Sequence, residues 1–282
     1  MTGRQSYGHT GIQAFGGLLA SFVAALLMGC GSDGAQTHGT GEVRGKITVF
    51  AASSLTDAFK EIGVEFERQS PGTEVEFNFQ GSPTLRTQLE QGARAEIFAS
   101  ADLNQMNLAL RNGVVVDAGK VFVRNSLVVI TPKDNPGKIN TLVDLKKGGL
   151  KFILANTDVP VGAYSRQALA LMEKDGTYGP GFSEAVLKHV VSLESNVKQV
   201  VAKVELGEAD GGIVYGSDVT PSVAPKLAVI AIPPQFNVVA EYPIALTQEA
   251  ANTPVARAFI DYVLSTAGQL ILKKYGFQTA SS

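Results

Sequence analysis

The chain has 282 residues, 45% of them hydrophobic, with one cysteine, no tryptophan and a formal net charge of −2. It carries no basic stripe or Lys/Arg cluster, which argues against nucleic acid as a partner. The histidines, His9, His38 and His189, are scattered along the chain. With a single cysteine they can build neither a metal site nor an internal disulfide.

The first feature in chain order is an apolar run, Phe15 to Leu27, with Arg4 upstream and Met28-Gly29-Cys30 at its end. The run is too short to span a bilayer comfortably, and small residues flank the cysteine. Residues 1–29 therefore read as an export signal ending at a lipid-modification site, Cys30. Gly31 to Glu42 holds no large apolar residue and cannot bury enough surface to fold, so residues 30–44 are expected to be a flexible tether. Signal, cysteine and tether together resemble a bacterial lipoprotein, which implies a protein working outside the cytoplasm and anchored to the cell membrane. Removal of Arg4 with the signal takes the net charge to about −3, and the remaining ~240 residues suit two domains or one large one.

From Gly45 onward, short apolar runs alternate with amphipathic helical stretches. Lys46–Ala51 is an expected strand, and Leu55–Glu67 places Leu55, Ala58, Phe59, Ile62 and Phe66 on one helical face. Pro71-Gly72 marks a turn before a strand at Glu74–Phe79. A helix over Thr84–Glu90, a strand over Glu96–Ser100, a helix over Asn104–Arg111 and a strand over Leu127–Ile130 follow. The second stretch repeats the alternation: strand Lys151–Ala155, helices Ala163–Lys174 and Phe182–His189, strand Val190–Ser192, helix Asn196–Leu206 and strand Gly212–Tyr215. Strands at Val229–Ile232 and Tyr242–Leu246 and a last helix at Val255–Leu264 complete the chain. This alternation predicts α/β architecture with mostly parallel sheets. No sequence repeat of fixed period is present.

Four strand ends run through small, hydroxylated or Gly/Pro-rich residues into a helix: Ala52 to Asp57, Gly81 to Leu85, Asn156 to Tyr164, and Ser192 to Val197. Each places unpaired helix N-terminal N–H groups at the carboxyl end of a strand, where helix dipole and geometry favour an anion. Ser, Thr and Asn are also the ordinary caps of any α/β protein, so one such turn means little. Four of them with no neighbouring Lys or Arg suggest a pocket of neutral donors. Enzyme signatures are thin, since no nucleophile elbow, phosphate-binding loop or dinucleotide fingerprint occurs. Asp57, Asp102 and Asp158 read as cap or turn residues, and no catalysis and no cofactor are expected.

Several segments resemble the periplasmic molybdate-binding proteins, the solute receptors of molybdate ABC importers. They are Lys46 to Leu55, Gly81 to Leu85, Ala95 to Asp102, Asn125 to Val129, Val159 to Tyr164, Asn196-Val197, Gly212 to Asp218, Glu241 to Pro243 and Lys274 to Phe277. The resemblance runs from Lys46 to about Phe277, in order and at compatible spacing. It implies a two-lobed periplasmic-binding-protein fold (type II-like) with the ligand cleft between the lobes. The expected division is 45–127 for the first part of lobe 1, 128–236 for lobe 2 and 237–282 for the rest of lobe 1. It also implies five oxyanion ligands: Ser54 and Ser82 through hydroxyl and N–H, Val161 and Val197 through backbone N–H, and Tyr215 through its hydroxyl. Ser53 competes with Ser54 for the first role. No protein side chain would coordinate the metal, because molybdenum arrives as molybdate.

The implied partners are molybdate or tungstate, the membrane subunits of an ABC permease, and the membrane through the lipid anchor; the receptor itself would be a monomer. Sulfate and molybdate share charge and shape, so a cage of fixed radius must separate them by leaving donors out of reach of the smaller ion. Each unmade bond to a buried donor costs about 1–3 kcal/mol. Two other readings stand beside this one: a receptor of the same fold for sulfate or phosphate, and a secreted hydrolase using a carboxylate pair in the cleft.

Overall fold

The computed structural model describes residues 43–250 and 253–280. The expected signal, Cys30 and the tether up to Glu42 lie outside the described residues. From Gly45 the order is β1 (Gly45–Ala52), α1 (Thr56–Gln69), β2 (Thr73–Gln80), α2 (Ser82–Glu90), β3 (Ile97–Ala99), α3 (Leu103–Arg111) and β4 (Lys120–Asn125). Then come β5 (Leu127–Pro132), β6 (Phe152–Ala155), α4 (Pro160–Asp175), α5 (Phe182–Leu187), β7 (Val190–Glu194), α6 (Val197–Glu205), β8 (Gly211–Tyr215) and β9 (Leu227–Ala231). The chain closes with β10 (Ala240–Leu246), α7 (Pro254–Leu264), α8 (Thr266–Lys274) and β11 (Gln278–Thr279).

The strands form two sheets, one ordered β11-β4-β10-β3-β1-β2 and the other β7-β6-β8-β5-β9. Within the first, β1 pairs in parallel with β2 and β3. Within the second, β6 pairs in parallel with β7 and β8. These are the runs in which a helix returns the chain across the sheet, as a parallel pair requires. Both runs build the same arrangement, with the first strand in the middle, although no sequence repeat announces it.

The sheets are mixed rather than mostly parallel, because β10 runs antiparallel to β3 and β4, and β5 runs antiparallel to β8 and β9. These are strands next to the crossings between sheets, where no crossover helix intervenes. The chain leaves the first sheet at Ser126 and returns between Ala231 and Ala240. There the Asn237 side chain takes the place of a strand neighbour for Leu127, accepting its N–H at 2.9 Å and donating to its carbonyl at 2.8 Å. That satisfies both backbone groups of a residue that changes sheets.

Strand β6 is wholly buried and β1 is buried from Val49 to Ala52, as their apolar runs require. Helix α1 buries Ala58, Phe59, Ile62 and Phe66, the face its periodicity predicts. Phe59 sits among Phe77, Phe122 and Phe259, with ring centroids 5.8–6.2 Å apart. Aromatic contacts of this kind fill the core of a chain without tryptophan. Three elements go beyond the expected set: β4, whose Val121-Phe122-Val123 is short and bounded by charge, α8, which follows α7 after the single residue Ser265, and the two-residue β11.

Candidate functional site

The turns singled out by sequence meet at one cavity. Ser53, Ser54, Gly81, Ser82, Val161, Val197 and Tyr215 line it together with Ala52, Gln80, Ala101, Val159 and Pro160. The space they enclose is small, room for one compact solute.

Each wall is the carboxyl end of a strand. After β1 the chain makes a 3₁₀ turn, Ser53–Leu55, that leads straight into α1. After β2, Gly81 is the extended cap and Ser82 the first residue of α2, with Pro83 behind it. Beyond β6, α4 starts at Pro160, so Val161 lies in its first turn. After β7, Asn196 caps α6 by accepting the Gln199 N–H, and Val197 is its first helical residue. First-turn N–H groups have no partner within their own helix. Two such starts come from each sheet, and their dipoles make the chamber electropositive without a lysine or arginine in its wall.

The hydroxyls are held with their protons available. Ser82 Oγ accepts the Ala101 N–H at 3.0 Å, which leaves its own O–H to donate elsewhere. Ser54 Oγ shares a hydrogen bond of 3.0 Å with the Tyr242 hydroxyl. The Asn125 side-chain amide, able only to donate through Nδ2, lies 3.4 Å from that hydroxyl and 2.7 Å from Ser217 Oγ. Either hydroxyl can donate in the Ser54–Tyr242 bond; where Tyr242 accepts from Asn125 and donates to Ser54, the Ser54 proton is left for the chamber. Burial raises the Tyr242 hydroxyl far above its ordinary range, so it stays protonated as this relay needs. Ser53 lines the chamber too, with its carbonyl oxygen accepting from Thr56 Oγ1 at 2.6 Å.

Tyr215 ends β8 and is 1% exposed, and its hydroxyl makes no hydrogen bond of good geometry, although the Tyr242 hydroxyl is near enough to interact with it. Only one other buried side-chain atom among the described residues shares that condition, Asp218 Oδ1. A buried hydroxyl without a partner costs about 1–3 kcal/mol, and one that lines a chamber is satisfied by whatever fills it. Burial drives the Tyr215 hydroxyl well above the ordinary tyrosine range, so it can only be a neutral donor or acceptor.

Three surrounding residues were not legible as site residues. Tyr242 and Asn125 act from behind Ser54, and nothing in their own strands points to the chamber. Lys198, next to Val197, corrects the expectation of turns without a neighbouring cation. Its Nζ donates to Asp57 Oδ2 at 2.8 Å and lies 3.7 Å from Asp218 Oδ1. The charge is thus spent on carboxylates. Asp57 is accordingly an ion-pair partner rather than a cap, whereas Asp102 caps α3 by accepting the Gln105 N–H at 2.7 Å. Asp158 contributes its backbone carbonyl, which accepts from Gln105 Nε2 at 3.2 Å.

Residues 47–278 match the family described as bacterial extracellular solute-binding protein. The molybdate-binding protein ModA of Mycobacterium tuberculosis is 36% identical over 263 residues, covering 93% of this chain and 96% of that protein. Among solved structures, the Azotobacter vinelandii periplasmic molybdate-binding protein is similar with a TM-score of 0.69 at 19% identity, covering 82% of this chain and 98% of that one. The sulfate-binding protein SubI of M. tuberculosis is similar with a TM-score of 0.74 at 16% identity, covering 83% and 87%. At these identities the two structures speak for the fold alone.

Burial raises the Asp102 carboxyl from 3.8 to about 6. Its favourable contribution is therefore complete below about pH 4 and is lost as the pH rises through 6. At ~1.4 kcal/mol per pH decade that loss approaches 3 kcal/mol by pH 8. Asparagine caps a helix as well as aspartate, so Asp102→Asn should gain on the wild type by about 2 kcal/mol between pH 4.5 and 8. Urea unfolding at the two pH values measures this, and an unchanged gap contradicts the burial argument.

Proposed function

The chain belongs to the bacterial extracellular solute-binding proteins, and from that premise we propose that it captures molybdate outside the cytoplasm and delivers it to an ABC permease. The observation that carries this reading is the chamber walled by four strand-to-helix turns, two from each sheet, with a buried Tyr215 hydroxyl that makes no hydrogen bond of good geometry in its lining. Only a small solute fits, and the donors around it call for acceptor oxygens on several sides. A tetrahedral oxyanion meets both demands.

In this proposal Ser54 and Ser82 each give a hydroxyl and an N–H, Val161 and Val197 give backbone N–H groups, and Tyr215 gives its hydroxyl. Ser53 is the reserve for the first position. The halves that close are 45–127 with 237–282, and 128–236, pivoting where the chain passes between sheets. Tungstate, with the same charge and shape, should compete. The 36% identity to a molybdate-binding protein favours molybdate over sulfate or phosphate. Cys30 would be acylated after signal cleavage, and the tether would keep the receptor near its permease at high effective concentration.

Calorimetric titration of residues 43–282 with molybdate, tungstate, sulfate and phosphate tests the reading. Tight binding of molybdate and tungstate is expected, with sulfate and phosphate weaker by decades; tight sulfate binding without molybdate binding would replace it with the sulfate alternative. Ser54→Ala and Tyr215→Phe should each lower affinity by about 10–150-fold, the equivalent of one hydrogen bond to a charged group at ~1.5–3 kcal/mol. Unchanged affinity in both would remove the proposed site.

A further inference from the structure

Gly81 lies between β2 and α2, in the half built on the first sheet, and Ser195 lies between β7 and α6 in the other. A Cβ built on Gly81 falls well inside van der Waals contact of the Ser195 carbonyl oxygen. The other atoms near it are the Ser195 carbonyl carbon at 3.5 Å and Val159 Cγ2 at 3.7 Å, both again from the opposite half. Gly81 has φ −62° and ψ 141°, which alanine adopts without strain. Its own backbone therefore does not require glycine, and its own half leaves room for a methyl group. Only the approach of the second half forbids one.

In addition to the Asn125–Ser217 bond, two links between the halves lie beside residues of the chamber wall. Lys198 Nζ on α6 donates to Asp57 Oδ2 on α1 at 2.8 Å, and Gln105 Nε2 on α3 donates to the Asp158 carbonyl at 3.2 Å. Both flank residues of the chamber wall: Asp57 follows the Ser53-Ser54 turn, and Lys198 follows Val197.

We propose that Gly81 sets how closely the two halves approach, and hence the radius of the anion cage, with the Lys198–Asp57 pair holding them at that distance. The inference rests on the oxyanion reading and adds a residue of the chamber wall that is not among the five proposed donors. Hydrogen bonds weaken steeply beyond about 3.2 Å. A methyl group at Gly81 that keeps the halves apart by as little as ~1 Å thus takes the donors of one half out of reach. Lys198 and Asp57 are partly exposed, so their link should weigh less.

The test uses residues 43–282 with molybdate as the probe, for wild type, Gly81→Ala and Lys198→Met. Gly81→Ala should fold normally, with the wild-type ligand-free thermal midpoint, and lose about 100-fold or more in affinity, as for two or more failed bonds at ~1.5–3 kcal/mol each. Lys198→Met should lose about 3–10-fold, chiefly through faster dissociation, where interface changes mostly act. Wild-type affinity in Gly81→Ala would overturn the proposal while leaving the oxyanion reading intact. A Gly81→Ala protein that is unstable without ligand would also overturn it, since the glycine would then serve its own half. A wild type that does not bind molybdate would overturn both readings.

Discussion

The structure turns on first-turn backbone N–H groups, which have no partner within their own helix. Helix starts carry such groups by construction, and most proteins leave them to water or to a cap. Here the starts at Ser82, Pro160 and Val197 and the turn at Ser53-Ser54 surround one small chamber. A neutral cage of this kind can hold an anion tightly, because each donor is fixed and dehydrated in advance. A free lysine in the wall would bind anions of many shapes and would remain hydrated when the site is empty. Lys198 lies near enough to do that, and Asp57 and Asp218 occupy it.

The fold supplies this convergence twice over. In each half the first strand of a parallel run sits between the other two, so the turns after the first and second strands open on the same edge. That edge is where ligands bind in open α/β sheets. Two halves brought edge to edge give four turns around one point, and β8 adds Tyr215. The connections at Ser126 and between Ala231 and Ala240 are short, and Asn237 pins Leu127 where the chain passes from one sheet to the other. The price of this arrangement, among the described residues, is two buried side-chain oxygens without a hydrogen bond, Tyr215 Oη and Asp218 Oδ1.

Local signals in the sequence made much of this legible. Apolar runs at β1 and β6, the 3.6-residue periodicity of α1, and the small-residue turns all depend on neighbours close in the chain. The turns that carry Ser54, Ser82, Val161 and Val197 are recognisable as helix starts, but the individual residues, Tyr215 among them, came from family resemblance; all five line the chamber. What escaped the sequence depends on distant partners. Tyr242 reaches Ser54 across 188 residues and Lys198 reaches Asp57 across 141, and no local pattern encodes either pairing. The antiparallel placement of β5 and β10 likewise follows from how the chain passes between sheets, not from anything within those strands. Helix α8 was missed because Ser265 ends α7 and caps the next helix at once, accepting the Gly268 N–H.

A receptor built this way recognises its solute by radius and acceptor geometry, with net charge as a shared requirement. The most direct measurement is a crystal structure of residues 43–282 grown with molybdate, with diffraction recorded at the molybdenum absorption edge. The account predicts one anomalous peak in the chamber, with oxygens within hydrogen-bond distance of Ser54, Ser82, Val161, Val197 and Tyr215. A peak elsewhere, or an empty chamber at saturating molybdate, would contradict it.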